Sequence, residues 1–281
     1  MIFGLQLPVS ARLWSLAVIS ILLLAGSKTL NADKSQWQLE AYGGKYYASD
    51  RAAVYGAYTQ PLLENLSVTL EALYEKVDDY KFQGIGGHLF WQVTDKTRFG
   101  VVGSAAAEFY PFETYLADNL IDSGEARYDI STAALELESN PGSFTIAAQA
   151  GRLFSQDHGS TDQNYSSIDI YYWGTDDYTW YLRGADRRAG NYALSFAEGY
   201  RSWATPSLPT TLYLGIATGE YESVYAGAYL ELASSELTSW TLDLGVGHTD
   251  DEWQLQLELY FMLGPGADAP YLSAFGFSVG D

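Results

Sequence analysis

The sequence predicts an all-β protein: an antiparallel, up-and-down transmembrane β-barrel of about 14 strands, within a range of 12 to 16. Three observations lead to this fold. Segments of about ten residues alternate large apolar and polar side chains along the chain, short and long connections separate them in turn, and tryptophans collect at one end of the segments. A soluble β-sandwich or propeller is the alternative, in which the apolar face would point to a core.

Composition excludes several functional classes. The 281 residues contain no cysteine, which rules out disulfide frameworks, thiolate zinc sites and cysteine nucleophiles. The formal net charge of −20 argues against nucleic acid as a partner, because its phosphates favour lysine and arginine. An aromatic content of 15% is too high for a disordered polar chain.

Residues 1–32 are predicted to be a signal peptide. Arg12 is the only charge ahead of an apolar stretch from Leu13 to Gly26, and a polar segment follows it to Ala32. This apolar stretch is shorter than the roughly 20 residues that a membrane-spanning helix needs, and it is typical of a secretory leader. We therefore expect cleavage near Ala32, with the barrel formed by residues 33–263.

Strands are predicted from the alternation itself. From Trp253 to Phe261 every odd-numbered residue is large and apolar, which places these residues on one face of a strand and would scatter them around a helix. The segment 65–76 repeats the pattern, with Leu73 as its one misfit. The same pattern predicts strands at 36–47, 51–59, 65–76, 81–93, 97–110, 125–138, 143–155, 166–173, 177–186, 191–204, 210–218, 223–233, 238–248 and 252–263.

The connections between these strands alternate in length. Most are short turns, whereas 111–124 and 156–165 are long and acidic. Alternation of this kind is typical of a meander whose two ends face different environments. Tryptophans fall at the short-turn end and are expected to form an interface girdle: Trp37, Trp91, Trp173, Trp180, Trp203 and Trp240. Only Trp253 falls at the other end.

Two segments carry a family resemblance. Gly86-Gly87-His88-Leu89-Phe90-Trp91, followed after a short turn by Phe99-Gly100, is similar to a segment of an uncharacterised porin-like group, and Leu257 to Phe261 looks like the final strand of such barrels. Over most of its mature length the chain resembles bacterial outer-membrane β-barrel proteins of the porin-like type. The resemblance implies a Gram-negative outer membrane, with its lipid, lipopolysaccharide and barrel assembly machinery as partners. It carries over no catalytic or ligand residues.

The chain continues past the last predicted strand. Many barrels of this type end on an aromatic residue, whereas residues 264–281 follow Leu263 here. Two placements remain open for this segment. Residues 271–279 form an additional strand, or the whole segment is a tail on the periplasmic side.

The polar face of each strand is expected to line the lumen. This assignment gives an acidic wall on the first, third and last three strands: Glu40, Glu71, Glu75, Glu231, Asp243 and Glu258. A basic wall lies on the fifth to tenth strands: Arg98, Arg127, Arg183 and Arg201. Opposed walls would create a transverse field that favours cations. The alternative is that these charges pair with one another and close the lumen.

The sequence predicts no cofactor and no metal site. It contains no metal-binding histidine motif or phosphate-binding glycine loop, and the glycines at 43–44 and 84–87 are expected to permit strand curvature. The acidic outer loops, such as Asp78-Asp79, are expected to be solvated, with calcium binding as the alternative.

Three functions are compatible with these features of the sequence. The first is passive diffusion of small polar or cationic solutes through a porin-like channel. The second is a closed barrel with a structural or surface-binding role. The third is a barrel hydrolase, for which His158 and Ser160 are the best candidates among residues near the three histidines.

Overall fold

A computed structural model describes residues 36–46, 49–116, 119–155, 163–174, 180–189, 192–204, 209–219, 222–249, 252–264 and 271–275. Fourteen antiparallel strands close into one barrel, in which each strand pairs with its neighbours in sequence and the last pairs with the first. The predicted fold class is confirmed. The expected signal peptide, residues 1–32, lies outside the described residues.

The strands agree closely with the predicted segments. Their bounds are β1 Gln36–Tyr46, β2 Ser49–Leu63, β3 Leu66–Val77, β4 Tyr80–Thr94, β5 Thr97–Leu116, β6 Asn119–Ser139, β7 Phe144–Ser155, β8 Gln163–Tyr172, β9 Trp180–Ala189, β10 Tyr192–Ala204, β11 Pro209–Gly219, β12 Ser223–Ser234, β13 Thr238–Thr249 and β14 Glu252–Leu263. The described residues contain no helix long and apolar enough to cross a bilayer.

The apolar face of each strand points outward. On β14, Leu255 is 71% exposed and Leu257 is 50% exposed. Gln256, which lies between them, and Glu258, which follows them, are buried. A soluble sandwich or propeller would bury the leucines and expose the polar residues, so this pattern excludes that alternative. The outer surface is therefore a lipid-facing belt, and the polar side chains line the lumen.

The short turns lie at one rim of the barrel, together with the start of β1 and the end of β14. Trp91 and Trp240 are exposed near this rim, and Trp37 is half-buried there. Trp253 is 74% exposed at the opposite end of β14. Trp180 and Trp203 fall in β9 and β10, but their side chains lie outside the described part of the chain.

The predicted acidic loop 111–124 is mostly strand. Pro111 pairs with Glu125 and Leu116 with Asn119, so β5 and β6 form a hairpin that extends beyond the strands beside it. The register shifts once, between Thr114 and Tyr115. Two strands that leave the barrel satisfy their backbone hydrogen bonds by pairing with each other, even where the sequence loses its alternation. Of the other long connection predicted, 156–165, residues 156–162 lie outside the described residues and residues 163–165 belong to β8.

Candidate functional site

Residues 271–275 lie inside the barrel. They add no strand to it, and Leu272, Ala274 and Phe275 are each no more than 6% exposed. The segment follows β14 after residues 265–270, which lie outside the described part of the chain. We call residues 271–275 the luminal segment.

Side chains of the wall bind the backbone of the luminal segment. The backbone N–H of Tyr271 donates to Oε1 of Glu138 at 2.7 Å. The backbone N–H of Ala274 donates to Oε2 of Glu71 at 2.7 Å. Charge-assisted bonds of this kind are stronger than neutral ones, and these two hold the segment near its ends.

Two neutral side chains complete this backbone recognition. Nε2 of Gln149 lies 3.4 Å from the carbonyl oxygen of Leu272 and 3.2 Å from that of Ser273. Oγ1 of Thr132 donates to the carbonyl oxygen of Ala274 at 3.1 Å. Buried peptide groups require partners of this kind, so the wall is matched to the backbone of the segment.

Phe275 fills an apolar recess in an otherwise polar wall. Its ring packs with Leu73 and Phe82, all three buried, and meets the Phe82 ring edge-on with centroids 5.6 Å apart. Leu73 is the misfit in the alternation of its strand. Its inward position is explained by this contact with the luminal segment.

Two glycines give the luminal segment its space. A Cβ at Gly84 would lie 2.6 Å from the Phe275 ring, and a Cβ at Gly86 would overlap the Cβ of Ala274. Real Cβ atoms do not come so close, so any larger residue would displace the segment. These glycines, expected to permit curvature, form the floor of the site.

A buried cluster of ionisable groups supports this floor. Nδ1 of His88 lies 2.8 Å from Oε2 of Glu136, and Nε2 lies 3.5 Å from Oε2 of Glu71. Beside it, Arg98 pairs with Glu138 at 2.6 Å and lies over the ring of Phe90. Glu71 therefore links the luminal segment to His88, and Glu138 links it to Arg98.

An arginine lies among the carboxylates of the expected acidic wall on β3 and β14. Arg51 lies 2.6 Å from Glu75 and 4.0 Å from Glu258, and all three side chains are almost fully buried. Asp243 is also buried and accepts hydrogen bonds from Tyr213 and Gln256. Charges in this part of the wall are thus paired or hydrogen-bonded, as buried charges must be.

The opposite wall carries two guanidinium groups around one carboxylate. Arg183 Nη2 lies 2.6 Å from Oδ2 of Asp169, which is fully buried, and Arg187 lies 3.4 Å from the same oxygen. Arg183 Nη1 is 3.9 Å from Glu198. Both guanidinium groups lie over the ring of Phe196, at 4.7 and 5.4 Å from its centroid.

A cavity of about 260 Å³ lies beside the luminal segment. The walls contribute Glu40, Tyr42, Tyr55, Leu73, Arg183 and Arg187, and the luminal segment contributes Tyr271, Leu272, Ser273 and Phe275. The cavity therefore has a carboxylate from β1 and guanidinium groups from β9.

The remaining charged residues of the two expected walls lie elsewhere. Glu231 is half-buried on β12 and does not line the cavity. Arg127 is 48% exposed and pairs with Asp129 at 2.6 Å. It shares the side of β6 that carries the outward-facing Leu135 and Leu137, so it does not belong to the inner wall. The side chain of Arg201 lies outside the described residues.

Several residues of the site were not predicted. Arg51 and Arg187 lie at or just beyond the ends of predicted strands, where the inward phase is hard to assign. Glu136 and Glu138 were present on a predicted strand and share the inward phase with Thr132, which would have identified them.

The candidate hydrolase residues do not form a described site. His158 and Ser160 lie outside the described residues, and the ring of His248 packs edge-on against Trp253, with centroids 4.9 Å apart. Among the described residues no group of three or more histidines and carboxylates is arranged to hold a metal ion.

The barrel is similar in shape to solved outer-membrane proteins. The CymD monoaromatic hydrocarbon channel aligns with a TM-score of 0.53 and 7% identity, over 89% of this chain and 92% of that one. BamA from Haemophilus ducreyi lacking POTRA domains 1–3 aligns with a TM-score of 0.46 and 10% identity, over 82% and 70% of the two chains. No protein-family model and no curated protein matches the sequence. The likeness to CymD shows a shared barrel fold.

Proposed function

We propose that this protein is a porin-like channel of the Gram-negative outer membrane, for passive diffusion of small polar or cationic solutes, with a bore narrowed by its own luminal segment. The observation that carries the proposal is the cavity of about 260 Å³ left between that segment and the opposite wall. A lumen filled only by wall side chains would leave no such space. The proposal includes signal peptide cleavage, insertion by the barrel assembly machinery and contact with lipopolysaccharide.

An excess of carboxylates supports a preference for cations. The described inner wall includes Glu40, Glu71, Glu75, Glu136, Glu138, Asp169, Asp243 and Glu258 against Arg51, Arg98, Arg183 and Arg187. Charges that line a narrow polar path act on a passing ion with little screening. We expect Glu40 to contribute most among the acids, because it lines the cavity.

Planar bilayer recordings of the refolded mature protein test this function. We expect discrete conductance steps, with reversal potentials in a salt gradient that show cation preference. Glu40→Lys should reduce this preference, whereas Asp95→Lys, in an exposed turn outside the lumen, should leave it nearly unchanged. Silence from a heat-modifiable, folded barrel, or anion selectivity, would overturn the proposal.

A closed barrel with a structural or surface-binding role is the second candidate. It is favoured by the number of strands that hold the luminal segment, since Glu71, Thr132, Glu138 and Gln149 come from β3, β6 and β7. A segment held this firmly would close the bore permanently. The same recordings separate the two candidates, because only a channel conducts.

A further inference from the structure

We propose that the cavity beside the luminal segment is a binding site for a small zwitterionic solute with an apolar body, such as an amino acid with a large apolar side chain. The inference names a substrate class for the proposed channel and rests on that function. Its evidence is the placement of charged and apolar groups around one cavity.

The charged groups of the cavity lie on opposite sides of the barrel. Glu40 is on β1, whereas Arg183 and Arg187 are on β9, six strands away in one direction around the ring and eight in the other. A purely cationic solute would face the guanidinium groups, and a purely anionic solute would face Glu40. A zwitterion matches both sides, with its carboxylate toward the arginines and its ammonium toward Glu40.

The basic side is held in place for carboxylate recognition. Asp169 binds Arg183 through both Nε and Nη2, at 3.2 and 2.6 Å, and the hydroxyl of Tyr171 donates to the same carboxylate at 3.2 Å. The Phe196 ring supports the guanidinium groups from one face. Asp169 occupies the Nε–Nη2 edge of Arg183, so a second carboxylate would bind at Nη1, in place of the long contact to Glu198 at 3.9 Å, or at Arg187. Guanidinium groups fixed in this way lose little entropy on binding it.

Aromatic rings and aliphatic side chains line part of the space between the charged sides. Tyr42, Tyr55 and Leu73 line it from the wall, and Leu272 and Phe275 line it from the luminal segment. Rings and aliphatic groups of this kind favour an apolar body over a fully hydrated ion. A hydrated monovalent cation would use Glu40 but leave this surface unmatched.

The volume limits the size of the solute. The cavity has a volume of about 260 Å³. It falls just below the roughly 300 to 1,000 Å³ of sites for drug-sized ligands. A single amino acid suits this space better than a peptide.

Binding of three probes of similar shape tests the inference. L-phenylalanine carries both charges, phenethylamine only the positive charge, and 3-phenylpropionate only the negative charge. We expect the full-length refolded barrel, titrated calorimetrically at pH 7, to bind phenylalanine at least about tenfold more tightly than either analogue, because each analogue loses one charge-assisted contact. Equal affinities, tighter binding of an analogue, or no binding of phenylalanine would overturn the inference.

A matched pair of variants locates the site. Glu40→Gln should weaken phenylalanine binding about tenfold, since the ammonium loses its partner, and should tighten 3-phenylpropionate binding, since the anion no longer faces a carboxylate. Glu231→Gln removes an acid on β12 that does not line the cavity, and it should change neither affinity. Unchanged phenylalanine binding in a folded Glu40→Gln barrel would place the solute elsewhere and contradict the inference.

The binding test of the site and the conductance test of the channel can fail independently of each other. Preference for phenylalanine in a barrel that never conducts would support the site and overturn the channel proposal. Cation-selective conductance without preference among the three probes would support the channel and overturn the site.

Discussion

Replacing Phe275 by alanine should release the luminal segment from the wall. The ring is 4% exposed and packs against Leu73 and Phe82, so its removal leaves an empty apolar recess. Loss of a buried phenylalanine costs about 3–5 kcal/mol in protein cores. Even at the lower value, the ratio of docked to released segment should fall by more than about a hundredfold.

Single-channel recording measures this release directly. Relative to the unmodified protein, Phe275→Ala should show larger conductance steps and a greater open fraction, because the segment no longer narrows the bore. Phe154→Ala is the matched control, since it removes the same side chain from a site 37% exposed. The control should leave conductance unchanged.

An unchanged conductance would contradict this role of the luminal segment. If folded, heat-modifiable Phe275→Ala gave the same step size and open fraction as the unmodified protein, the luminal segment would not limit the conducting path.

Three further predictions concern the floor, the belt and an outer turn. Gly86→Val should displace the luminal segment and enlarge conductance steps, since a Cβ there overlaps it; unchanged steps would contradict this. Leu257→Arg should lower the free energy of unfolding in lipid vesicles by about 2–4 kcal/mol, whereas Leu237→Arg, at a rim turn, should cost about 0–1 kcal/mol; equal costs would argue against the belt. The backbone N–H of Asp50 donates to Asp78 and lowers the pKa of that carboxyl. This contact should therefore stabilise the turn at neutral pH and be lost as pH falls through the lowered pKa, which hydrogen exchange at Asp50 would detect. Asp78→Asn should abolish that pH dependence, and its persistence would exclude this carboxyl as the cause.

Most of the fold could be predicted because the lipid imposes a strict local pattern. Every lipid-facing position must be apolar, so the period of two identifies both the strands and their outward face. The prediction was less accurate where this constraint ends. The extension of β5 and β6 past Pro111 lies beyond the neighbouring strands, and both its faces have lost the regular alternation.

The same limit explains the placement of Arg127. Near the outer end of β6 a polar residue is tolerated on either face, so alternation there no longer separates lumen from exterior. In the middle of the strands the constraint holds. Asp243 and Glu258, predicted to face inward, are fully buried beside Gln256.

The luminal segment could not be located from local pattern. Its partners Glu71 and Thr132 lie more than 140 residues away in sequence, and no periodicity links them to residues 271–275. The sequence nevertheless contained an indication of the site. Leu73 is an apolar residue on the otherwise polar inner face of β3. On the neighbouring strand β4, Gly84 and Gly86 leave the inner face without side chains at those two positions.

A cysteine cross-link tests most directly whether the C-terminal segment lies inside the barrel. The natural chain has no cysteine, so Gly86→Cys combined with Ala274→Cys places the only two thiols on β4 and the luminal segment. We expect a disulfide between them on mild oxidation of the folded barrel, because a Cβ at position 86 lies closer to the Cβ of Ala274 than the roughly 3.5–4.5 Å of a disulfide, so displacement of the segment from β4 by about an ångström brings the two cysteines into bonding geometry. Thr241→Cys on β13, combined with Ala274→Cys, should form none. Absence of the first disulfide, with both thiols open to a bulky maleimide, would show that residues 271–275 do not occupy the lumen.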